Sequence, residues 1–181
     1  MTTKSKKKKI YEANGIIFDS NEELEFYYWL VEAVNDMFIA GFIYHPFTFE
    51  LAKKKTYQVE VTNKRGTRTL EKHLLNNCEY TPDFKITPGR YFSVLKTGWH
   101  IASDNNYWID TKGTFARFND ARYFSVMQKW MYDATGIYIN KVIPKLLFKK
   151  TFVPAAVAYN LNGSRRKTYA DCRFIEEILE V

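Results

Sequence analysis

Two short apolar segments, each carrying an acid, constrain this chain most. Tyr80-Thr81-Pro82-Asp83-Phe84 sets a carboxylate directly after a proline, and Trp108-Ile109-Asp110-Thr111-Lys112-Gly113 sets a carboxylate two residues before a lysine. Aromatic and β-branched neighbours predict strands over Glu79–Ile86 and His100–Ile109, the second delivering Asp110 and Lys112 before Gly113 ends it. Strand side chains alternate faces, so Asp110 and Lys112 point the same way, roughly 6–7 Å apart along the strand. Two acids and an ammonium on one sheet face are costly to desolvate without a counter-ion. A bound divalent cation would resolve that cost.

The 181 residues suffice for one cored domain, expected over 10–181 after a disordered lysine-rich tail over 1–9. Lys4, Lys6, Lys7, Lys8 and Lys9 supply five charges of a formal +7, and the body is still mildly basic, so tail and body both favour a polyanionic partner. With 14 Phe, 13 Tyr and 4 Trp, the core is expected to be aromatic-rich. Cys78 and Cys172 lack CxxC spacing and fit inert thiols in a reducing compartment, a disulfide being open but not implied. His45, His73 and His100 are too scattered for a zinc site. No apolar run approaches membrane-spanning length, and no apolar segment follows the N-terminal lysines as in a secretory signal. A cytoplasmic protein is expected.

In chain order, Asn14-Gly15 predicts a turn, Ile16–Phe18 a short strand, and Ser20 a helix N-cap. A helix over Asn21–Asp36 follows, with Leu24, Tyr27 or Tyr28, Val31 and Val34 toward the core and Glu23 at the stripe's edge. Ser20-x-x-Glu23 reads as a capping box, or Glu23 joins Asp83 and Asp110 as a third carboxylate. Phe38–Phe42 reads as a connector, His45–Leu51 and Tyr57–Thr62 as strands, Asn63–Arg68 as a basic turn and Leu70–Asn76 as a helical turn. Thr87–Arg90 is a turn and Tyr91–Trp99 a strand, with Ser103–Asn106 as a polar connection. Asn119 caps a helix from Asp120 to about Ala134 with an apolar stripe of Phe124, Met127, Met131 and Ala134, stopped at Gly136. Ile137–Val142 is a strand bounded by Pro144, Phe148–Tyr159 a strand or extended segment, and Tyr169–Val181 a closing helix.

Phosphodiester hydrolysis needs charge neutralisation, a nucleophile and a stabilised leaving oxygen. Magnesium supplies all three and takes oxygen ligands. Asp83, Asp110, Glu23 and the Thr111 carbonyl are candidate ligands, and Lys112 a compact charge beside the phosphate.

Pro82-Asp83 followed by Asp110-Thr111-Lys112 resembles the motif of the PD-(D/E)XK nuclease superfamily. Phe18-Asp19-Ser20-Asn21-Glu22-Glu23 resembles the first-helix "FDSxxE" segment of its phage Holliday-junction-resolvase-like members. Trp108–Gly113 is similar to their "xxDxKG" strand. Transposon-end endonucleases offer a second likeness, through Glu23 and the "xPFxFxL" pattern of His45–Leu51. The resemblance spans about Gly15 to Val142. It implies an α/β restriction-endonuclease-like core with a four-stranded mixed central sheet flanked by helices, ordered helix, three antiparallel strands, helix, fourth strand. It also implies DNA cleavage with Mg2+ or Mn2+, with Glu23, Asp83 and Asp110 as ligands and Lys112 as the catalytic lysine. The second acid here is aspartate where glutamate is commoner.

The expected activity is thus a metal-dependent, structure-specific DNA endonuclease of phage recombination, repair or processing, acting on branched or junction DNA as a homodimer in the host cytoplasm. A catalytically silent DNA-binding protein, and a RecB-like exonuclease or restriction-type nuclease, are the competing readings. Gln128-x-x-x-Tyr132 resembles a short RecB-type pattern and bears on the latter. The DNA-facing set comprises Ser20, Lys64, Arg65, Arg68, Arg117, Arg122, Gln128, Lys129 and Tyr132. For the basic run from Lys53 through Lys72, a solvated face is the plain alternative.

Overall fold

The structure, a computed structural model, describes residues 9–114 and 118–179. The expected tail up to Lys8, Arg117 and Val181 lie outside the described residues.

The strands β1 (Tyr11–Ala13) and β2 (Ile16–Phe18) form a hairpin whose turn places Asn14 and Gly15 at φ 51° and 77°. Asn and Gly tolerate that left-handed conformation best. Ser20 then caps α1 (Asn21–Asn35), its hydroxyl accepting the Glu23 amide at 3.2 Å. The remaining elements are β3 (Ile39–Tyr44), β4 (Phe49–Ala52), β5 (Lys55–Asn63), β6 (Gly66–Leu75), β7 (Cys78–Tyr80), β8 (Phe84–Pro88), β9 (Tyr107–Thr111), α2 (Phe118–Thr135), β10 (Ile139–Val142), α3 (Pro144–Lys150), α4 (Ala155–Ala158) and α5 (Glu176–Leu179).

The main sheet is mixed and four-stranded, in the order β10-β9-β8-β3. Strands β3, β8 and β9 run antiparallel, and β10 runs parallel to β9. A parallel neighbour needs a long crossover, and α2 is that crossover. The α/β class and the four-stranded mixed sheet with flanking helices agree with the sequence reading.

Both sheet faces are covered. Phe84, Ile86, Ile109 and Val142 pack with α1 and with Phe148, Phe152 and Val157 of the C-terminal region. Trp108 and Ile139 pack with Phe124 and Met131 of α2. Trp29 stacks between Phe26 and Phe152, with ring centroids 5.6 and 5.2 Å away, and its indole N–H reaches Thr151 Oγ1 at 3.1 Å. A fully buried indole therefore keeps its hydrogen bond.

The expected α1 stripe packs against the core, but the buried surface of the helix is broader than that stripe. Glu23, Phe26, Tyr27, Trp29, Leu30 and Ala33 are buried, while Leu24, Tyr28, Val31 and Val34 are only half-buried. The helix lies between sheet and C-terminal segments, so most of its circumference is covered and a single stripe does not describe it. Along α2, Phe124, Met127 and Met131 are buried but Ala134 is exposed.

Several segments differ from the sequence reading. Phe38–Phe42 is no connector: β3 runs through it, with Gly41 at a register shift opposite Thr87. The strand expected from His45 starts at Phe49, because His45 turns at φ 45°. Leu70–Asn76 is not a helical turn: β6 pairs with β5 across the tight Asn63–Gly66 turn, and the spacing of Leu70 and Leu74 suits a helix as well as a strand. Tyr91–Trp99 is a 3-10 turn over Phe92–Leu95, and the next strand begins at Tyr107, not His100. Phe148–Tyr159 is helical in its two parts. Pro144 both bounds the strand ending at Val142, as expected, and opens α3, and Pro154 caps α4, the helix-start role for which a fixed φ suits proline. The closing helix is reduced to a 3-10 turn, Lys167–Tyr169, and α5. Cys78 and Cys172 are both free, and no helix among the described residues is long and apolar enough to cross a membrane.

Candidate active site

The expected Glu79–Ile86 strand is broken where the chemistry begins. Pro82 has no N–H to donate to a ladder, so β7 stops at Tyr80 and β8 restarts at Phe84, leaving Asp83 in the joint. The joint is pinned by the His45 amide, which donates to the Asp83 carbonyl at 2.8 Å. Phe84 pairs with Ile109 in the antiparallel β8–β9 ladder. One step along that register, Asp83 stands opposite Asp110, and directly opposed residues share a face. It is the face that α2 covers.

Here the N-terminus of α1, the β7–β8 joint and the C-terminal end of β9 enclose a cleft of about 580 Å³. Its walls include Ser20, Glu22, Glu23, Tyr80, Thr81, Asp83, Asp110, Thr111, Lys112, Gly113, Thr114, Tyr123, Phe124 and Met127. The four residues expected to be catalytic, Glu23, Asp83, Asp110 and Lys112, are all among them.

Asp83 is half-buried. Its Oδ2 accepts from the Thr111 amide at 2.6 Å and the Thr111 hydroxyl at 2.7 Å. Burial, then the neighbouring Asp110 charge, push its carboxyl up to about 8 from 3.8, although Thr111 pulls it down. Asp110 is buried. It accepts from the Tyr80 hydroxyl at 2.7 Å through Oδ2, and Lys112 Nζ pairs with its Oδ1. Burial and the Asp110 charge drive the Tyr80 hydroxyl upward, holding it protonated as a donor. Lys112 Nζ also lies 5.7 Å from the centre of the Phe124 ring, within cation–π range.

Glu23 is at once the helix-capping acid and a wall of the cleft. Oε1 accepts from the Ser20 hydroxyl at 2.8 Å, and Oε2 accepts from the Asp19 amide at 3.1 Å and the Tyr44 hydroxyl at 2.7 Å. In the expected capping box the carboxylate meets the Ser20 amide; here it bonds one residue earlier, at Asp19. Among the described residues, the one trio of His, Cys, Asp or Glu whose ligand atoms all lie within 4.8 Å of one another is Asp19, Glu23 and His45. Glu23 thus belongs to a second group of potential ligands while lining the same cleft as Asp83 and Asp110. Thr111, expected to offer its carbonyl to a metal, also directs its amide and hydroxyl at Asp83.

The expected DNA-facing residues that are described lie on several different elements. Ser20 is in the cleft. Lys64, Arg65 and Arg68 lie at the exposed end of the β5–β6 hairpin, and Arg122 is exposed on α2. Gln128, Lys129 and Tyr132 border a different hollow, against His100, Ser103 and Tyr138. Gln128 Nε2 donates to the Ile139 carbonyl at 2.6 Å, tying α2 to β10.

Tyr80, Tyr44 and His45 were missed as site residues. Tyr80 stands at the end of a strand whose break only Pro82 announces, Tyr44 ends the unpredicted strand β3, and His45, expected to start a strand, instead makes the turn that follows β3. Compared with protein-family models, curated proteins and solved structures, the chain shows no significant match.

Proposed function

We propose that this protein is a metal-dependent DNA endonuclease with a restriction-endonuclease-like core of the PD-(D/E)XK type. One observation carries the reading. Asp83 and Asp110 oppose each other at the ends of adjacent strands, with Lys112 on Asp110, in an open cleft.

The donor set fits a magnesium or manganese ion. Asp83, Asp110 and Glu23 offer carboxylate oxygens and Thr111 a backbone carbonyl, and such ions prefer oxygen ligands. Lys112 offsets Asp110, whereas both donors to Asp83 are neutral groups of Thr111. The upward displacement of Asp83 marks a site where a second negative charge lacks compensation. Asp83 and Asp110 would hold the ion, with Glu23 as the third acid facing the cleft. Such an ion, when bound, supplies charge neutralisation at the phosphate and a more acidic bound water.

The chain's own residues contribute the rest. Thr111 fixes the Asp83 carboxylate and Tyr80 fixes that of Asp110, so neither acid must reorganise as charge develops. The Lys112 ammonium, about one-third exposed, reaches a phosphate without losing Asp110. Overall, water adds to phosphorus, one P–O bond to the sugar breaks, and the sugar oxygen takes a proton. The hydrogen-bonded role of Gln128 in joining α2 to β10 lends no support to the exonuclease reading. A phage junction-resolving role, on branched DNA and as a dimer, is the specific form we favour.

The test is incubation with labelled four-way junction, linear duplex, single strand and supercoiled plasmid, in Mg2+, Mn2+ or chelator. Symmetric, metal-dependent nicks in the junction support the resolving form. Degradation from ends supports an exonuclease, and binding without cleavage in any metal supports the silent DNA-binding protein.

A further inference from the structure

The β5–β6 hairpin has no partner among the described residues. It forms a two-stranded sheet of its own and makes no sustained contact with another element. At ~3.3 Å per residue its strands span roughly 30 Å. The Asn63 side chain accepts from the Arg65 amide at 2.9 Å, and Gly66 follows at φ 124°, which fixes a tight tip.

The register separates two unlike faces. Val61 opposes Arg68, Val59 opposes Leu70 and Tyr57 opposes Lys72, so these six side chains share one face, and Leu74 is the extra residue at the register shift beyond them. The other face pairs Thr62 with Thr67, Glu60 with Thr69 and Gln58 with Glu71. Both acids of the ribbon are therefore on the polar face, and the apolar face carries only cations. Among the described residues, no carboxylate lies within 4 Å of Lys64, Arg65, Arg68 or Lys72. Tyr57 is 45% and Leu74 63% exposed.

A face that is apolar between two cations is poorly suited to a second copy of itself, since Arg68 and Lys72 would meet like charges across a two-fold axis. It suits a polyanion with apolar edges. A two-stranded ribbon fits the major groove of duplex DNA, where cations meet phosphates and small apolar groups meet sugar and thymine methyl. The ribbon is also joined directly to the candidate site. Leaving β6, the chain enters β7, whose Tyr80 holds Asp110, and three residues later reaches Asp83.

We propose that the β5–β6 ribbon is a duplex-DNA arm whose Tyr57–Val59–Val61–Leu70 face enters the major groove, with Arg68 and Lys72 on flanking phosphates. The proposal deepens the nuclease reading and rests on it for the choice of DNA, but binding is separable from cutting.

The test is binding of the full chain to a labelled 30-base-pair duplex in chelator, followed by fluorescence anisotropy over a range of salt concentrations. R68A/K72A should weaken binding at least tenfold and flatten the salt dependence by about two contacts, at roughly 0.9 per phosphate. Q58A/T69A, on the polar face, should bind as wild type, and circular dichroism on both variants controls for folding. Folded R68A/K72A with unchanged affinity and salt slope overturns the arm. So does loss of a dimer in R68A/K72A with duplex binding intact, which would make the ribbon a protein interface. Should the wild type cut no DNA in any metal yet show the face-specific loss, the nuclease reading fails and the arm stands.

Discussion

Thr111 donates two hydrogen bonds, from its amide and its hydroxyl, to the same oxygen of Asp83 across the β8–β9 boundary. The pair holds one acid of the site in place while leaving its other oxygen without a donor among the described residues. It also restrains, without cancelling, the upward pressure that burial and Asp110 exert on the Asp83 carboxyl.

That pressure has a pH signature. An unfolded Asp83 releases its proton near 3.8, the folded one at about 8. Between these values the folded state holds the extra proton, so this residue's contribution to stability is lost as pH rises from about 4 through 8. The penalty above 8 is on the order of a few kcal/mol. In chelator, D83N should therefore melt above the wild type at about pH 8.5, with the gap closing toward about pH 4. Thermal melts across that range check it; a gap independent of pH contradicts the assigned cause.

Glu23 serves as a cap and faces the cleft, and the two roles separate experimentally. S20A and Y44F each remove a donor to its carboxylate and should cost about 1–2 kcal/mol in denaturant melts, with cleavage within tenfold of wild type. E23Q keeps the acceptor oxygen for two of the donors but loses the charge. It should lower cleavage at least 100-fold for a comparable loss of stability. Equal effects of E23Q and S20A on cleavage would reduce Glu23 to a cap.

Gly89 shows a purely structural constraint behind the site's strand. A Cβ there would lie 2.3 Å from the Met37 carbonyl oxygen and 2.8 Å from the Ile39 amide nitrogen, both backbone atoms. The Gly89 amide meanwhile donates to the Phe38 carbonyl at 2.9 Å. G89A should destabilise by about 1–3 kcal/mol through forced displacement of the α1–β3 connection. Urea unfolding measures it, and a neutral effect would mean that this connection yields freely.

What the sequence made legible follows the range of the interactions involved. Ser20, Asn14-Gly15 and Gly136 signal local conformations, and each stands where its chemistry predicted. The Pro82-Asp83 and Asp110-Thr111-Lys112 pairs were readable because strand alternation is local and because few residue types serve such chemistry. The full breadth of α1 burial, at Phe26, Trp29, Leu30 and Ala33, was not readable, since covering by Phe152 and the C-terminal region depends on contacts far along the chain. Nor was β6, whose ladder partner lies across a turn and whose apolar positions, Leu70 and Leu74, suit a helix as well as a strand. Tyr80 and Tyr44 join the site only through the fold that brings their hydroxyls to Asp110 and Glu23; no spacing rule announces them.

In the proposed nuclease, Asp83, Asp110 and Lys112 act as one hydrolytic unit. The most direct measurement is the single-turnover rate of cutting a labelled four-way junction in Mg2+ by wild type, D110N and K112A, with folding checked by circular dichroism. Wild type should cut, D110N should fall below detection, and K112A should lose roughly 10²–10³-fold, all three binding the junction similarly. Cutting by folded D110N at the wild-type rate would contradict that reading.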